Sequence, residues 1–213
     1  VGRHGRFHRV AMTLDQYRSV SDRLLTPVVR VAIRLGLTPN AISVVAIATA
    51  GAAGAAYWLA DPGSMLYLLG AFLVLANGLL DVLDGMVARQ TETDSPGGDL
   101  IDHVLDRYAD ILLLVGLAGG TGEFAIGIAA VTGVLMTSYL GTQAQAVGLD
   151  RVYGGLVGRA DRLAIIGITT GIAAFTTVSY RGLSLVGLLL VFFAVVSHVT
   201  ALQRFYYALR ALE

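Results

Sequence analysis

The chain has 213 residues, of which 55% are hydrophobic and only 14% charged, with a formal net charge of zero. A mean hydropathy of +0.71 excludes an ordinary water-soluble domain, gives no basis for nucleic-acid binding, and points to an all-α, polytopic integral membrane protein. Cysteine is absent, which removes disulfides and thiol chemistry, and all 15 basic residues are arginine.

Residues 1–12 read as an N-terminal extension, with Met12 a candidate native start. Residues 13–36 place Leu14, Val20, Leu24, Leu25, Val28, Val29, Val31, Ala32 and Leu35 between arginines. That pattern predicts an amphipathic juxtamembrane helix, kinked or restarted near Pro27. Leu37-Thr38-Pro39-Asn40 then breaks the chain, with Asn40 as the expected N-cap. Residues 37–213 hold apolar stretches of spanning length at roughly 41–60, 65–88, 98–118, 123–147, 163–180 and 183–206, each near the ~20 residues a bilayer requires. The expected architecture is therefore six transmembrane helices after one interfacial helix. Small residues crowd the first span, from Ala48 to Ala56, and favour close helix packing.

Arginine placement sets the expected orientation. Arg18, Arg23, Arg30 and Arg34 precede the first span, Arg89 follows the second, Arg151, Arg159 and Arg162 surround the link from four to five, and Arg204 and Arg210 end the chain. Arg181 alone falls on the other side. Both termini and the long polar connections are thus expected on the cytoplasmic face of the cell membrane. The opposite connections, such as Asp61-Pro62-Gly63-Ser64, read as plain turns.

Four aspartates stand out against this apolar background. Asp81 and Asp84 end the second span, and Asp102 and Asp106 begin the third. Spacings of i,i+3 and i,i+4 put each pair on one helix face, so two facing helices would gather four carboxylates. Unpaired, each would cost about 2.5–3.5 kcal/mol near lipid, and divalent cations remove that cost. An all-carboxylate oxygen set suits Mg²⁺, Mn²⁺ or Ca²⁺ rather than zinc. Gly85 and Gly98 let a ligand approach the backbone, Arg89 offers a planar fork for phosphate oxygens, and Asn40 and Ser43 lie within reach of the same end. The grouping predicts a metal-bound phosphate ester. A cation-coupled transporter is the alternative class, against which stand the interfacial depth of Asp81 and the lack of interrupted inverted repeats. Asp99 and Asp110 are expected to pair with arginine or cap a helix, and neither His103 nor His198 is expected to bind metal.

The pattern Asp81-x2-Asp84-Gly85-x2-Ala88-Arg89-x8-Gly98-x3-Asp102-x3-Asp106 resembles the signature of the CDP-alcohol phosphotransferases, membrane enzymes of phospholipid head-group synthesis. The resemblance implies a homodimer carrying two Mg²⁺ or Mn²⁺ ions on Asp81, Asp84, Asp102 and Asp106. It implies that Asn40, Ala41, Ile42, Ser43, Asp81, Gly85, Ala88, Arg89, Ser95 and Gly98 line the site of the CDP-linked lipid. Asp106 is then implied as the general base that takes a proton from the acceptor alcohol while CMP leaves.

Arg159 and Arg162, one turn apart, with Arg151 nearby, predict an anion site for a phosphorylated acceptor. This second half is similar to the branch that makes phosphatidylinositol phosphate, or its archaeal ether-lipid counterpart, from inositol 1-phosphate. Gly141 and Gln143 stand where that branch usually carries a lysine and an arginine, which keeps glycerol 3-phosphate, serine and unphosphorylated inositol open as acceptors.

Overall fold

A computed structural model describes residues 18–93, 95–149 and 156–213. The expected features at residues 13–17, Asp94 and 150–155, Arg151 among them, lie outside the described residues. The described residues form seven helices: α1 (Arg18–Arg34), α2 (Pro39–Trp58), α3 (Met65–Gln90), α4 (Pro96–Thr121), α5 (Phe124–Ala146), α6 (Arg159–Ala173) and α7 (Leu185–Leu212). Strands β1 (Ser179–Tyr180) and β2 (Leu183–Ser184) form a small antiparallel hairpin before α7.

The helix boundaries follow from their caps. Thr38, not Asn40, caps α2: its side chain accepts from the Ala41 N–H, and Pro39 occupies the first turn, where a missing N–H costs nothing. Ser64 and Ser184 cap α3 and α7 in the same manner. Ser95 caps α4 by accepting from the Gly98 N–H at 3.1 Å, with Pro96 as the next residue. Gly122, at φ 74°, closes α4 in the left-handed conformation that glycine adopts without strain. Helix α1 is continuous through Pro27 rather than restarted.

Among the described residues, four helices are long and apolar enough to cross a membrane: α2, α3, α5 and α7. Helices α4 and α6 occupy the positions expected of the third and fifth spans, but differ in kind. The first carries Asp99, Asp102, Asp106, Arg107 and Asp110, and the second has only 15 residues, about 22 Å of rise against a ~30 Å hydrocarbon core.

Helix α2 packs on α3 and α4, α3 on α6, and α4 on α5, which in turn lies along α7. The main core joins Tyr57, Tyr67, Val74, Leu113, Leu117, Val134, Ile166, Leu190 and Phe193. A smaller cluster seats Val29 and Ala32 of α1 on Ile42, Leu83, Met86 and Val87, which fixes α1 beside the end of α3. Because α3 ends where α2, α4 and α6 begin, all four meet at one end of the bundle.

Candidate metal and nucleotide site

That shared end holds the acidic motif. Asp81 and Asp84 project from the last turns of α3, and Asp102 and Asp106 from the first turns of α4. Ligand oxygens of Asp81, Asp102 and Asp106 all lie within 4.8 Å of one another. A hard cation bound at about 2.0–2.6 Å separates opposed ligands by roughly 4–5 Å, so the three fit one coordination sphere. Asp84 is buried, 6% exposed. The Ser43 hydroxyl donates to its Oδ2 at 2.8 Å, tying the start of α2 to the motif. Ser43, Ala46, Ile47, Asn77, Asp81, Asp84, Asp102, Leu105, Asp106, Ala109 and Arg159 line a single cleft.

Arginines from α4 and α6 extend the cluster into a chain. The Arg159 guanidinium spans two motif members, with Nη1 2.5 Å from Asp81 Oδ2 and Nη2 2.8 Å from Asp106 Oδ1. Its position follows from the start of α6, where Gly158 is the cap residue, its N–H bonded to Asp161 Oδ2 at 2.9 Å. One turn on, Arg162 is buried and its Nη2 donates to Asp110 Oδ2 at 2.7 Å. Arg107 lies 3.6 Å from Asp106 and 3.7 Å from Asp110. Five carboxylates thus face three guanidiniums. A diphosphate could not join so acidic a site unaccompanied, and divalent cations would supply the missing positive charge.

The sequence expectations divide accordingly. Asp81, Asp84, Asp102, Asp106, Ser43 and Arg159 come together in one cleft. Gly85 and Arg89 continue the Asp81 face of α3 by one and two turns. Arg89 is exposed, and Ala88 follows the same curve. Gly98 and Ser95 form the opening turn of α4. Asn40 and Ala41 are exposed at the start of α2, whereas Ile42, 3% exposed, is a core residue beneath them. Arg162 points away from solvent, into its pair with Asp110, because position four of α6 faces α4 rather than the cleft mouth. Asp110 pairs with arginine as expected. The His103 Nδ1 lies 2.7 Å from Asp99 O and the His198 Nε2 3.1 Å from Ala129 O. Asn77 went unremarked in the sequence, being a neutral residue inside an apolar run. Its place one turn before Asp81 was the available signal.

The pattern of the family described as CDP-alcohol phosphatidyltransferase matches residues 36–202. The chain belongs to that family. It is 35% identical over 154 residues to the archaetidylinositol phosphate synthase of Methanothermobacter thermautotrophicus, covering 72% of this chain and 74% of the relative. It is 30% identical over 200 residues to the phosphatidylinositol phosphate synthase of Streptomyces avermitilis, covering 90% and 80%. Among solved structures, the phosphatidylinositol phosphate synthase of Mycobacterium tuberculosis with CDP-DAG bound superposes with a TM-score of 0.73 at 27% identity, covering 87% of this chain and 94% of that one. The same enzyme in complex with manganese and citrate gives a TM-score of 0.73, covering 86% and 88%. This chain is accordingly a transferase with a divalent-cation site, and its oxygen-only donor set suits Mg²⁺ or Mn²⁺.

Proposed function

We propose that this enzyme transfers the lipid phosphate of a CDP-linked lipid to the hydroxyl of inositol 1-phosphate, releasing CMP. The observation that carries the reading is the meeting of Asp81, Asp102 and Asp106 with Arg159 at one cleft, a cation site with a guanidinium at its edge. The names of the similar synthases support inositol phosphate as acceptor, and the CDP-DAG complex of a similar fold supports the donor.

Asp81, Asp84, Asp102 and Asp106 would hold two divalent cations, which supply charge neutralisation for attacking and leaving oxygens. The chain's own groups do the rest. Gly85, Ala88, Arg89, Ser95, Gly98 and the segment from Asn40 to Ser43 receive the cytidine diphosphate: Arg89 through its planar fork, the glycines through open backbone. Asp106 accepts the proton of the acceptor hydroxyl as that oxygen bonds to the lipid-bearing phosphorus. The bond from this phosphorus to the bridging oxygen breaks, and CMP departs with that oxygen and its electron pair. Arg159, which bridges Asp81 and Asp106, would serve the phosphate of the acceptor, with Arg151 as a second expected ligand. Arg162 serves this acceptor side from behind, by holding the start of α6 against Asp110.

The enzyme works as a homodimer, its termini and cleft facing the cytoplasm and α1 lying at the membrane surface. The arginine asymmetry supports that orientation, and the exposed residues Val28, Val31 and Leu35 support the interfacial position of α1. An apolar stripe on α4, through Leu100, Val104, Tyr108, Leu112 and Val115, offers a surface to the second copy. The test of acceptor identity is CMP release from CDP-lipid with Mg²⁺ or Mn²⁺, comparing inositol 1-phosphate, inositol, glycerol 3-phosphate and serine. Turnover with inositol 1-phosphate well above the other three is expected. Preference for another alcohol would overturn the acceptor and leave the reaction class standing.

A further inference from the structure

Asn77 is an amide in the middle of the apolar run of α3, 1% exposed and lining the same cleft as Asp81, Asp84, Asp102 and Asp106. Its Nδ2 donates to the backbone carbonyl of Ala46 on α2 at 2.8 Å. A carbonyl oxygen only accepts, so this bond fixes which end of the amide is which; the flipped amide would set two acceptors face to face. Oδ1 is left as the free end, buried and with no hydrogen-bond partner.

A link between α2 and α3 accounts for the nitrogen but not for the oxygen. Any donor would make that link, and a hydroxyl would do so without burying a second polar atom. One turn separates Asn77 from Asp81, so helical periodicity puts both on the face of α3 that borders the cleft. A neutral carbonyl beside carboxylates is unsuited to a proton relay and cannot attract an anion. It is a normal donor to a hard cation.

We infer that Asn77 Oδ1 is a further oxygen donor of the cation site, a floor beneath the aspartates that adds a ligand without adding charge. The inference rests on the cation reading of the aspartate cluster and is independent of the acceptor. Without the cation the oxygen is unsatisfied while the Nδ2 bond to Ala46 is kept, so Asn77 serves the fold and the cation site through opposite ends of its amide.

The test uses the purified full chain, stripped by chelator and titrated with Mn²⁺ while the free ion is followed by electron paramagnetic resonance. Asn77→Leu and Asn77→Ala are expected to weaken Mn²⁺ binding about 10- to 100-fold, the range seen when groups that support metal sites are removed. Thermal melts in chelator check that each variant is folded. A folded variant that melts lower yet binds Mn²⁺ as the wild type does would reduce Asn77 to a packing residue and overturn the inference. Failure of the wild type to bind Mn²⁺ would overturn the cation reading itself. A second measurement needs no substitution at Asn77, because asparagine occurs only at positions 40 and 77. In protein labelled with carbon-13 at the asparagine carboxamide, assigned with Asn40→Gln, saturating Mg²⁺ is expected to shift the Asn77 resonance. An unmoved resonance would also overturn the inference.

Discussion

The two ends of the same helices are built on opposite terms. Away from the aspartates, α2 and α4 touch backbone to backbone: a Cβ on Gly116 would lie 2.6 Å from the Cα of Gly54. Tyr57 there is fully buried, its ring 6.2 Å from that of Tyr67 and its hydroxyl 3.0 Å from that of Thr170 on α6. At the other end the same three helices, with α3, meet around carboxylates and guanidiniums. The contrast has a physical rationale. At the open end the helices are held by ion pairs that Arg159 makes to α3 and α4, and close van der Waals contact at the closed end limits how far any rearrangement of those pairs can spread. A cleft that must admit a diphosphate can then be open without being loose.

The largest effect is expected from removing a charge that belongs to chemistry at the open end. Asp106→Asn keeps the size of the side chain and loses the proton acceptor, so CMP release should fall by about 10²–10⁴-fold, the usual worth of a positioned base. Because Asp106 faces both Arg159 and Arg107, thermal melts must accompany the rates. A folded Asp106→Asn enzyme with unchanged turnover would remove Asp106 from the reaction.

Arg159→Ala tests whether the open end relies on an internal cation. In chelator the variant leaves Asp81 and Asp106 facing each other, and a loss of about 1.5–3 kcal/mol is expected, as for other hydrogen bonds to charged groups. Saturating Mg²⁺ should erase much of the deficit, since the ion replaces the guanidinium. A stability difference that is the same with and without Mg²⁺ would show that Arg159 and the cations do not compete.

How much of this was legible in the sequence follows the same division. The aspartates could be read because charge in an apolar run is conspicuous and because i,i+3 and i,i+4 spacings translate directly into a helix face. The cap of α2 was misplaced at Asn40 although Thr38-Pro39 carried the better signal, proline favouring the first helical position and a hydroxyl residue the one before it. Arg162 read as an anion ligand because spacing reports a helix face but not what that face meets, and here it meets Asp110. Asn77 was invisible for a related reason: a neutral amide acquires meaning only once its two ends have, or lack, partners. At the closed end, the small residues from Ala48 to Ala56 announced tight packing, but nothing in the chain paired Gly54 with Gly116 in advance.

That pairing supplies the next test. Gly116→Val places side-chain atoms against the Gly54 backbone, which cannot move aside as a flexible side chain would, and overpacking of this sort costs about 1–3 kcal/mol. Melting temperature should drop with or without Mg²⁺, in contrast to Arg159→Ala, whose deficit depends on the ion. An unperturbed Gly116→Val protein would mean that α2 and α4 can slide, and that the closed end does not set the width of the cleft.

The smallest effect is expected at Tyr57. The Thr170 hydroxyl donates its one proton to the Ile166 carbonyl at 2.7 Å, so in the Tyr57–Thr170 pair the phenol is the donor. Tyr57→Phe removes that donor and strands no proton; it leaves one lone pair of Thr170 unused while the ring keeps its contacts with Tyr67. The cost should therefore sit toward the low end of the roughly 0.5–1.5 kcal/mol that a hydrogen bond contributes, and CMP release per folded molecule should be unchanged. Reduced turnover at unchanged stability would reverse the comparison, because it would mean that the closed end transmits position to the aspartates through this single bond rather than through the broad contacts of α2 with α3 and α4.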